Sequence, residues 1–232
     1  MTKRETLSDP ATPATSSPPD RESWRDFSAL PRDVLMGIFS RLPHADILRG
    51  AGLVCASWRR LAVAEPELWR DIDLSSSDDD KIVRRPTAME RAAVDRSAGQ
   101  CQSFRGPADG DFLAYLAARS PDLRSIHVTS WMYMPHSGFV EGVIKKLPLL
   151  ERLVVSRGYF DASGEVMRAF LDHCPRLELL DAGGCYNSYA IGYRLRERCH
   201  RTIRNLRLPQ ADLSSCGCCM EYAQKHADQL DD

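Results

Sequence analysis

Leu123-x-x-Ile126-x-Val128 is followed by Leu150-x-x-Leu153-x-Val155, then by Leu177-x-x-Leu180-x-Ala182 and Ile203-x-x-Leu206-x-Leu208. The four starts are 27, 27 and 26 residues apart, and Pro121, Pro148 and Pro175 each stand two residues before the first three. A period of this length marks a repeat architecture. Between the apolar motifs lie stretches of helical spacing, each behind a capping-type residue. Asp111 precedes Phe112, Leu113 and Leu116; Ser137 precedes Phe139, Val140, Val143, Ile144 and Leu147. Ser163 precedes Val166, Met167, Phe170, Leu171 and Cys174, and Ser188 precedes Tyr189, Ile191 and Leu195. Each unit therefore reads as helix, turn and strand. One such unit cannot bury its own apolar face, but stacked units share one. The expected fold is α/β, a short solenoid with a parallel sheet and outer helices over residues 88–213. Upstream, Ile72 and Leu74 suit a first strand, and residues 88–104 suit a degenerate repeat.

The sequence changes character ahead of the repeats. Residues 1–22 are Pro, Ser, Thr and Ala with scattered charges, too poor in apolar groups to offset chain entropy, so a disordered lead is expected. Residues 23–70 read as three or four short helices. Pro31 suits a first helical turn. Val34, Leu35, Ile38, Phe39 and Leu42 recur at helical spacing, and Pro43 stops that helix. Asp46 is placed to cap the next, with Ile47, Leu48, Ala51 and Val54; a third runs from Ala56 through Trp58, Leu61 and Ala62. Trp24, Leu30, Ile38 and Trp58 supply more large apolar groups than short helices cover. Their surplus points to a partner surface, or else to packing on the rest of the chain. Residues 71–87, with the acidic run Ser75-Ser76-Ser77-Asp78-Asp79-Asp80, read as a linker and possible first strand, and residues 214–232 as a polar tail containing cysteines.

Leu30-Pro31-x-Asp33-Val34-Leu35-x-x-Ile38-Phe39-x-x-Leu42, then Val54-Cys55-x-x-Trp58-Arg59 and a closing Leu68-Trp69, resemble an F-box. The repeats resemble a leucine-rich-repeat array. Cys174-Pro-Arg-Leu177-x-x-Leu180 with Cys185 is similar to its cysteine-containing subclass, although Trp131, Gly158 and Ala211 occupy the Cys185 position in the other units. Together with Ala93-Val94-Asp95-Arg96-Ser97-Ala98-Gly99, the chain resembles the plant type of F-box/leucine-rich-repeat protein. The resemblance implies a non-catalytic substrate receptor of a Skp–cullin–F-box ubiquitin ligase. It implies that Leu30 and Pro31 lie on a Skp-family linker, and that Ile38, Leu42, Leu48, Val54, Cys55 and Trp58 form a shared core and interface. Cullin would be reached through the linker. A stand-alone interaction module that binds the linker without supporting ubiquitination is the alternative.

A target protein would meet the repeats. Along the strands, the column His127, Val154, Asp181 and Arg207 should point away from the core, since strand side chains alternate. Its chemistry is mixed. The loops that follow are more suggestive: Trp131, Met132, Tyr133 and Met134 after one strand, Tyr159 and Phe160 after the next, Tyr186 after the third. Their matching offsets place them along one edge, as binding anchors or as a cover over the loop side of the core.

Bulk properties exclude several classes. Lys+Arg 31 against Asp+Glu 32 leaves a formal net charge of -1, without the basic excess of a dedicated nucleic-acid binder. No apolar run of membrane-spanning length and no secretory leader are present, so the cytoplasm, the nucleus or both are expected, with the eight cysteines as thiols. Cys216-Gly217-Cys218-Cys219 with His226 nearby suggests zinc, but lacks a second pair at standard spacing; a reduced tail is the alternative, and no metal or cofactor is assigned. His44, His127, His136, His173, His200 and His226 are scattered and form no recognisable catalytic motif. The arginines from Arg194 to Arg207 suit either an acidic partner or a solvated face.

Overall fold

The computed structural model describes residues 27–76, 86–131, 138–159, 164–186 and 192–209. A 3-10 turn (Phe27–Ala29) leads into α1 (Arg32–Phe39), α2 (His44–Arg49), a second turn (Ala51–Leu53), α3 (Ala56–Ala64) and a third turn (Pro66–Trp69). Then β1 (Asp71–Asp73), α4 (Ala88–Arg96), β2 (Ser103–Ala108), α5 (Gly110–Arg119) and β3 (Ser125–Trp131) follow. The remainder is α6 (Phe139–Gly142), a turn (Ile144–Lys146), β4 (Arg152–Val155), β5 (Gly158–Tyr159), α7 (Gly164–His173), β6 (Leu179–Asp181), β7 (Cys185–Tyr186), α8 (Tyr193–Thr202) and β8 (Asn205–Arg207). The polar lead, the acidic stretch 77–80 and the cysteine tail lie outside the described residues, as do Trp24, Ser137, Ser163, Ser188, Tyr189 and Ile191.

Six strands form one parallel sheet in the order β1-β2-β3-β4-β6-β8, with β5 and β7 pairing as a separate parallel ribbon. Parallel neighbours need a crossover, and the intervening helices supply it. The register joins Ile72, Phe104, Ile126, Leu153, Leu180 and Leu206 in one row. All but the last are buried. The repeat starts Leu123, Leu150, Leu177 and Ile203 are also buried, against Phe112, Leu116, Ile144, Met167, Phe170 and Cys199 from the helix layer. Thus β1 and β2 extend the array on the side of the N-terminal helices, where the motif is degenerate: β2 reads Ser-Phe-Arg-Gly-Pro-Ala, yet Phe104 takes the leucine's place in the row.

Several local expectations need correction. Pro43, not Asp46, stands at the N-cap of α2; Asp46 falls in the first turn, where its carboxylate faces the positive end of the helix. In α5 the cap is Asp109, whose Oδ1 accepts the Phe112 N–H at 2.8 Å, and Asp111 is one residue inside the helix. A cap must reach the amide two or three residues on, so the helix that starts at Gly110 uses Asp109. The single helix expected over Phe139 to Leu147 is broken into α6 and a 3-10 turn at Val143 (φ -122°, ψ -67°). Val140, Val143 and Ile144 are β-branched and lower the helical preference there.

The buried residues form one continuous core from Leu35 to Ile203. Trp69 is its largest fully buried side chain where the N-terminal helices meet the sheet. Its Nε1–H donates to the Ala62 carbonyl at 2.8 Å, and the Arg96 guanidinium lies over its ring at 5.2 Å. His44 fastens the same junction. Its Nδ1 accepts the Asp73 N–H at 3.2 Å, so Nε2 carries the proton and donates to the Leu68 carbonyl at 2.8 Å. One ring thus ties α2 to both the turn before β1 and the strand itself.

Candidate functional site

The N-terminal helices hold only a narrow stripe inside: Leu35, Phe39, Ile47, Leu61, Ala62, Leu68 and Trp69 are buried. The eight residues expected at a partner surface lie outside it. Leu30, Ile38, Leu42, Leu48, Cys55 and Trp58 are half-buried, and Pro31 and Val54 are exposed. Ile38 and Phe39 show how this arises: adjacent helical residues differ by about 100° of rotation, so Phe39 enters the core and Ile38 stays at its rim. The Trp58 ring meets Phe39 edge-on at 5.4 Å between centroids, and its Nε1–H donates to the Phe27 carbonyl at 2.9 Å. Cys55 Sγ sits 3.1 Å from Ser57 Oγ, and Ser57 Oγ also donates to the Ser28 carbonyl at 2.9 Å. These bonds hold the turn before α1 against α3. An ion pair between Arg32 and Glu65 joins α1 to the end of α3, and holds the Glu65 carboxyl below its ordinary range.

Sequence reasoning missed part of the surface. Phe27 is 59% exposed and Leu53 64%, with Val34 and Val63 also exposed, beside the expected Val54 at 62%. Val34 falls beside the Leu35–Phe39 stripe, and Val63 follows the buried pair Leu61–Ala62. A helical-wheel reading finds both as apolar residues on an otherwise polar side. Phe27 and Leu53 sit in turns, where no such periodicity operates. A single exposed leucine needs no explanation, but several large apolar groups gathered on one small subdomain are the mark of an interaction surface.

The sheet face opposite the core presents Asp73, Arg105, His127, Val154, Asp181 and Arg207 in register across all six strands. Arg207 Nη1 lies 3.1 Å from Asp181 Oδ2. His127 Nε2 is 2.8 Å from Ser156 Oγ, and burial, reinforced by Arg105, pushes the imidazole pKa down. Of the aromatic edge, Met132, Tyr133, Met134 and Phe160 lie outside the described residues. The backbone brings the other three toward the same ends of their strands: Trp131 closes β3 in register with Ala108, and Tyr159 pairs with Tyr186 across the small ribbon.

The buried thiols Cys101, Cys174, Cys185 and Cys199 are packing groups. Burial raises the Cys101 and Cys174 pKa to about 12, leaving them protonated and unreactive at neutral pH. Cys185 Sγ–H donates to the Val155 carbonyl at 3.3 Å, bridging neighbouring repeats. Among the described residues no group of three His, Cys, Asp or Glu side chains is arranged to hold a metal ion, and no helix is long and apolar enough to cross a membrane.

The F-box-like family model matches residues 27–75, which spans the helices and their apolar surface through β1. Similarity to curated proteins extends across the repeats. The chain is 30% identical to F-box protein SKIP19 of Arabidopsis thaliana, over 84% of this chain and 82% of that protein. It is 28% identical to Putative F-box/LRR-repeat protein 23 of the same plant, over 86% of this chain but 56% of that protein. With Putative F-box/LRR-repeat protein 22, again from Arabidopsis thaliana, it shares 27% identity over 81% and 78%.

Proposed function

Because the chain belongs to the plant F-box/leucine-rich-repeat family, whose general role is that of adaptor in Skp–cullin–F-box ubiquitin ligases, we propose that it is a substrate receptor that contributes no catalytic group. An F-box binds a Skp-family linker. Here the contact is made by Leu30, Pro31, Ile38, Leu42, Leu48, Val54, Cys55 and Trp58, enlarged by Phe27, Val34, Leu53 and Val63. The observation that carries this reading is the gathering of exposed apolar side chains on residues 27–63. Full burial of each is worth about 1.5–3 kcal/mol, so a handful suffices for a tight interface. The linker then connects to cullin, and the repeats hold a target protein along Trp131, Met132, Tyr133, Met134, Tyr159, Phe160 and Tyr186. Ubiquitin transfer is promoted by proximity: the receptor raises the effective concentration of a target lysine near the charged conjugating enzyme. The receptor acts in the cytoplasm, the nucleus or both, where buried thiols such as Cys101 stay reduced.

Co-expression with a Skp-family linker tests the first contact. The wild-type chain is expected to co-purify with it. The Leu53→Asp/Val54→Asp variant, folded by circular dichroism, is expected to lose the linker, because two charges would be carried into an apolar interface. Equal recovery of both proteins would refute this assignment of the surface.

A further inference from the structure

The chain carries 26 arginines and five lysines: Lys3, Lys81, Lys145, Lys146 and Lys225. Lysine is ordinarily among the commonest residues, so its cationic surface is built almost wholly from guanidinium groups. For a receptor working by proximity, that choice has a chemical consequence. Any amine that can reach the charged conjugating enzyme gains effective concentration as the target's does, the receptor's own included. Acyl transfer needs a neutral amine. A lysine with pKa near 10.4 offers it in roughly one molecule in a thousand at neutral pH, whereas the delocalised guanidinium stays protonated throughout.

The placement of the two described lysines sharpens the point. Lys145 and Lys146 lie in the turn Ile144–Lys146 within the helix layer, and both are exposed. An ion pair with Glu141 engages Lys145. On the sheet face opposite the core, the cations among the described residues are Arg105, Arg152 and Arg207, and no amine is present.

We propose that this arginine-for-lysine bias leaves the sheet face unable to accept ubiquitin and directs self-modification of the folded repeats to Lys145 and Lys146. The inference rests on the ligase reading above. In the transfer step, the neutral lysine Nζ attacks the carbonyl of the ubiquitin thioester on the conjugating enzyme. The C–N bond forms, the C–S bond breaks, and the enzyme's cysteine leaves as thiolate while the proton shed by Nζ passes to solvent.

The test uses the full chain assembled with linker, cullin, RING subunit, activating and conjugating enzymes and ubiquitin, with no substrate added. Free lysine serves as a soluble acceptor to show that the ligase is competent. Modified lysines are mapped by mass spectrometry. The wild-type chain is expected to carry ubiquitin at Lys145 or Lys146, and the Lys145→Arg/Lys146→Arg variant to lose it from the repeats. Arg105→Lys/Arg152→Lys, which doubles the described amines, should add modification at both new positions and raise the repeat-borne ubiquitin about twofold. Two results would overturn the proposal. One is a wild-type chain that spares both Lys145 and Lys146 in a competent ligase. The other is a variant whose new amines at 105 and 152 stay unmodified, since geometry rather than amine shortage would then protect the face. A chain that fails to co-elute with the linker overturns the ligase reading itself, and this inference with it, at a separate and earlier step.

Discussion

Between residues 27 and 70, Phe27, Val34, Leu53, Val54 and Val63 leave large apolar surfaces in solvent; from residue 71 onward, Tyr193 is the one such case among the described residues. The first helices of the two regions also begin differently. In the F-box, α1, α2 and α3 start at Pro31, Pro43 and Cys55 without any side-chain cap. In the repeats, α4 starts with a full capping box between Thr87 and Glu90, and α5 with the Asp109 cap. The first two repeat helices thus carry their own side-chain caps, whereas α6 and α8 start at Gly138 and Gly192 without one, and the repeats cover their own core because each unit is sandwiched by the next. The F-box is a few short helices tied to the repeats through Trp69 and His44.

Trp69 offers the strongest way to break that comparison, since it belongs to the F-box motif by sequence and to the shared core by packing. Replacing it by alanine removes a fully buried side chain together with the support for Arg96 and the bond to Ala62. Trp69→Ala is expected to lower unfolding free energy by about 3–5 kcal/mol and to melt both regions together. Trp58→Ala, at the half-exposed partner surface, should cost less than half as much by the same cavity argument while weakening linker binding more. Denaturant unfolding monitored by circular dichroism measures the first quantity and linker titration the second. Two separate transitions for Trp69→Ala would show that the core is not continuous.

Glycine substitutions sharpen the same contrast because the sign should reverse. A Cβ on Gly184, between β6 and β7, would lie 2.0 Å from the Ser156 carbonyl oxygen, so neighbouring repeats must shift apart. Gly184→Ala is expected to destabilise by about 1–3 kcal/mol. In α1 of the F-box, a Cβ on Gly37 meets only the flexible Arg41 side chain, at 3.8 Å. Gly37→Ala should therefore stabilise, by roughly 0.5–1 kcal/mol, through the lost entropy of the unfolded chain. Thermal melts of the two variants beside wild type decide it; a shift in the same direction for both would remove the distinction.

Both regions announce themselves in sequence, but by different signals. The repeats are legible because the period fixes which residues stack: the register of His127, Val154, Asp181 and Arg207 follows directly from the spacing of the leucines. The F-box is legible as an ordered set of landmarks. Which of its apolar residues face out is not, because burial depends on how short helices cross. Phe39 and Ile38 are equally apolar letters with opposite fates. The break at Val143 is hidden by the intact apolar spacing on either side of it. The cap of α5 is not legible because two aspartates, Asp109 and Asp111, stand close together and only the helix start chooses between them.

That choice is measurable. Asp109→Ala removes the acceptor of the Phe112 N–H and should cost about 1 kcal/mol, whereas Asp111→Ala, in an exposed first turn, should cost only a few tenths through the helix dipole. Chemical denaturation of the pair measures the difference. Equal losses would remove the energetic distinction between the Asp109 cap and the first-turn Asp111.

The smallest expected effect is a slope with pH. His127 has its pKa held below the ordinary 6.5, first by burial and then by Arg105, although Asp73 and Asp181 oppose the shift. The unfolded chain therefore binds a proton at a higher pH than the folded one does. Between the folded pKa and about 6.5 the unfolded state carries more protons, so stability rises with pH across that window. The contribution is fully present above the unfolded pKa and is lost as the pH falls through the window to the folded one. His127→Asn keeps a polar group of similar size beside Ser156 but cannot titrate. Stability of the variant should thus fall less steeply than wild type when the pH is lowered from about 7. The F-box is the contrasting case, since its Glu65 carboxyl is lowered by Arg32 and loses its contribution only in the acid range of carboxylates. A wild-type slope that persists unchanged in His127→Asn would mean that the sheet face is solvated enough to titrate like a free imidazole.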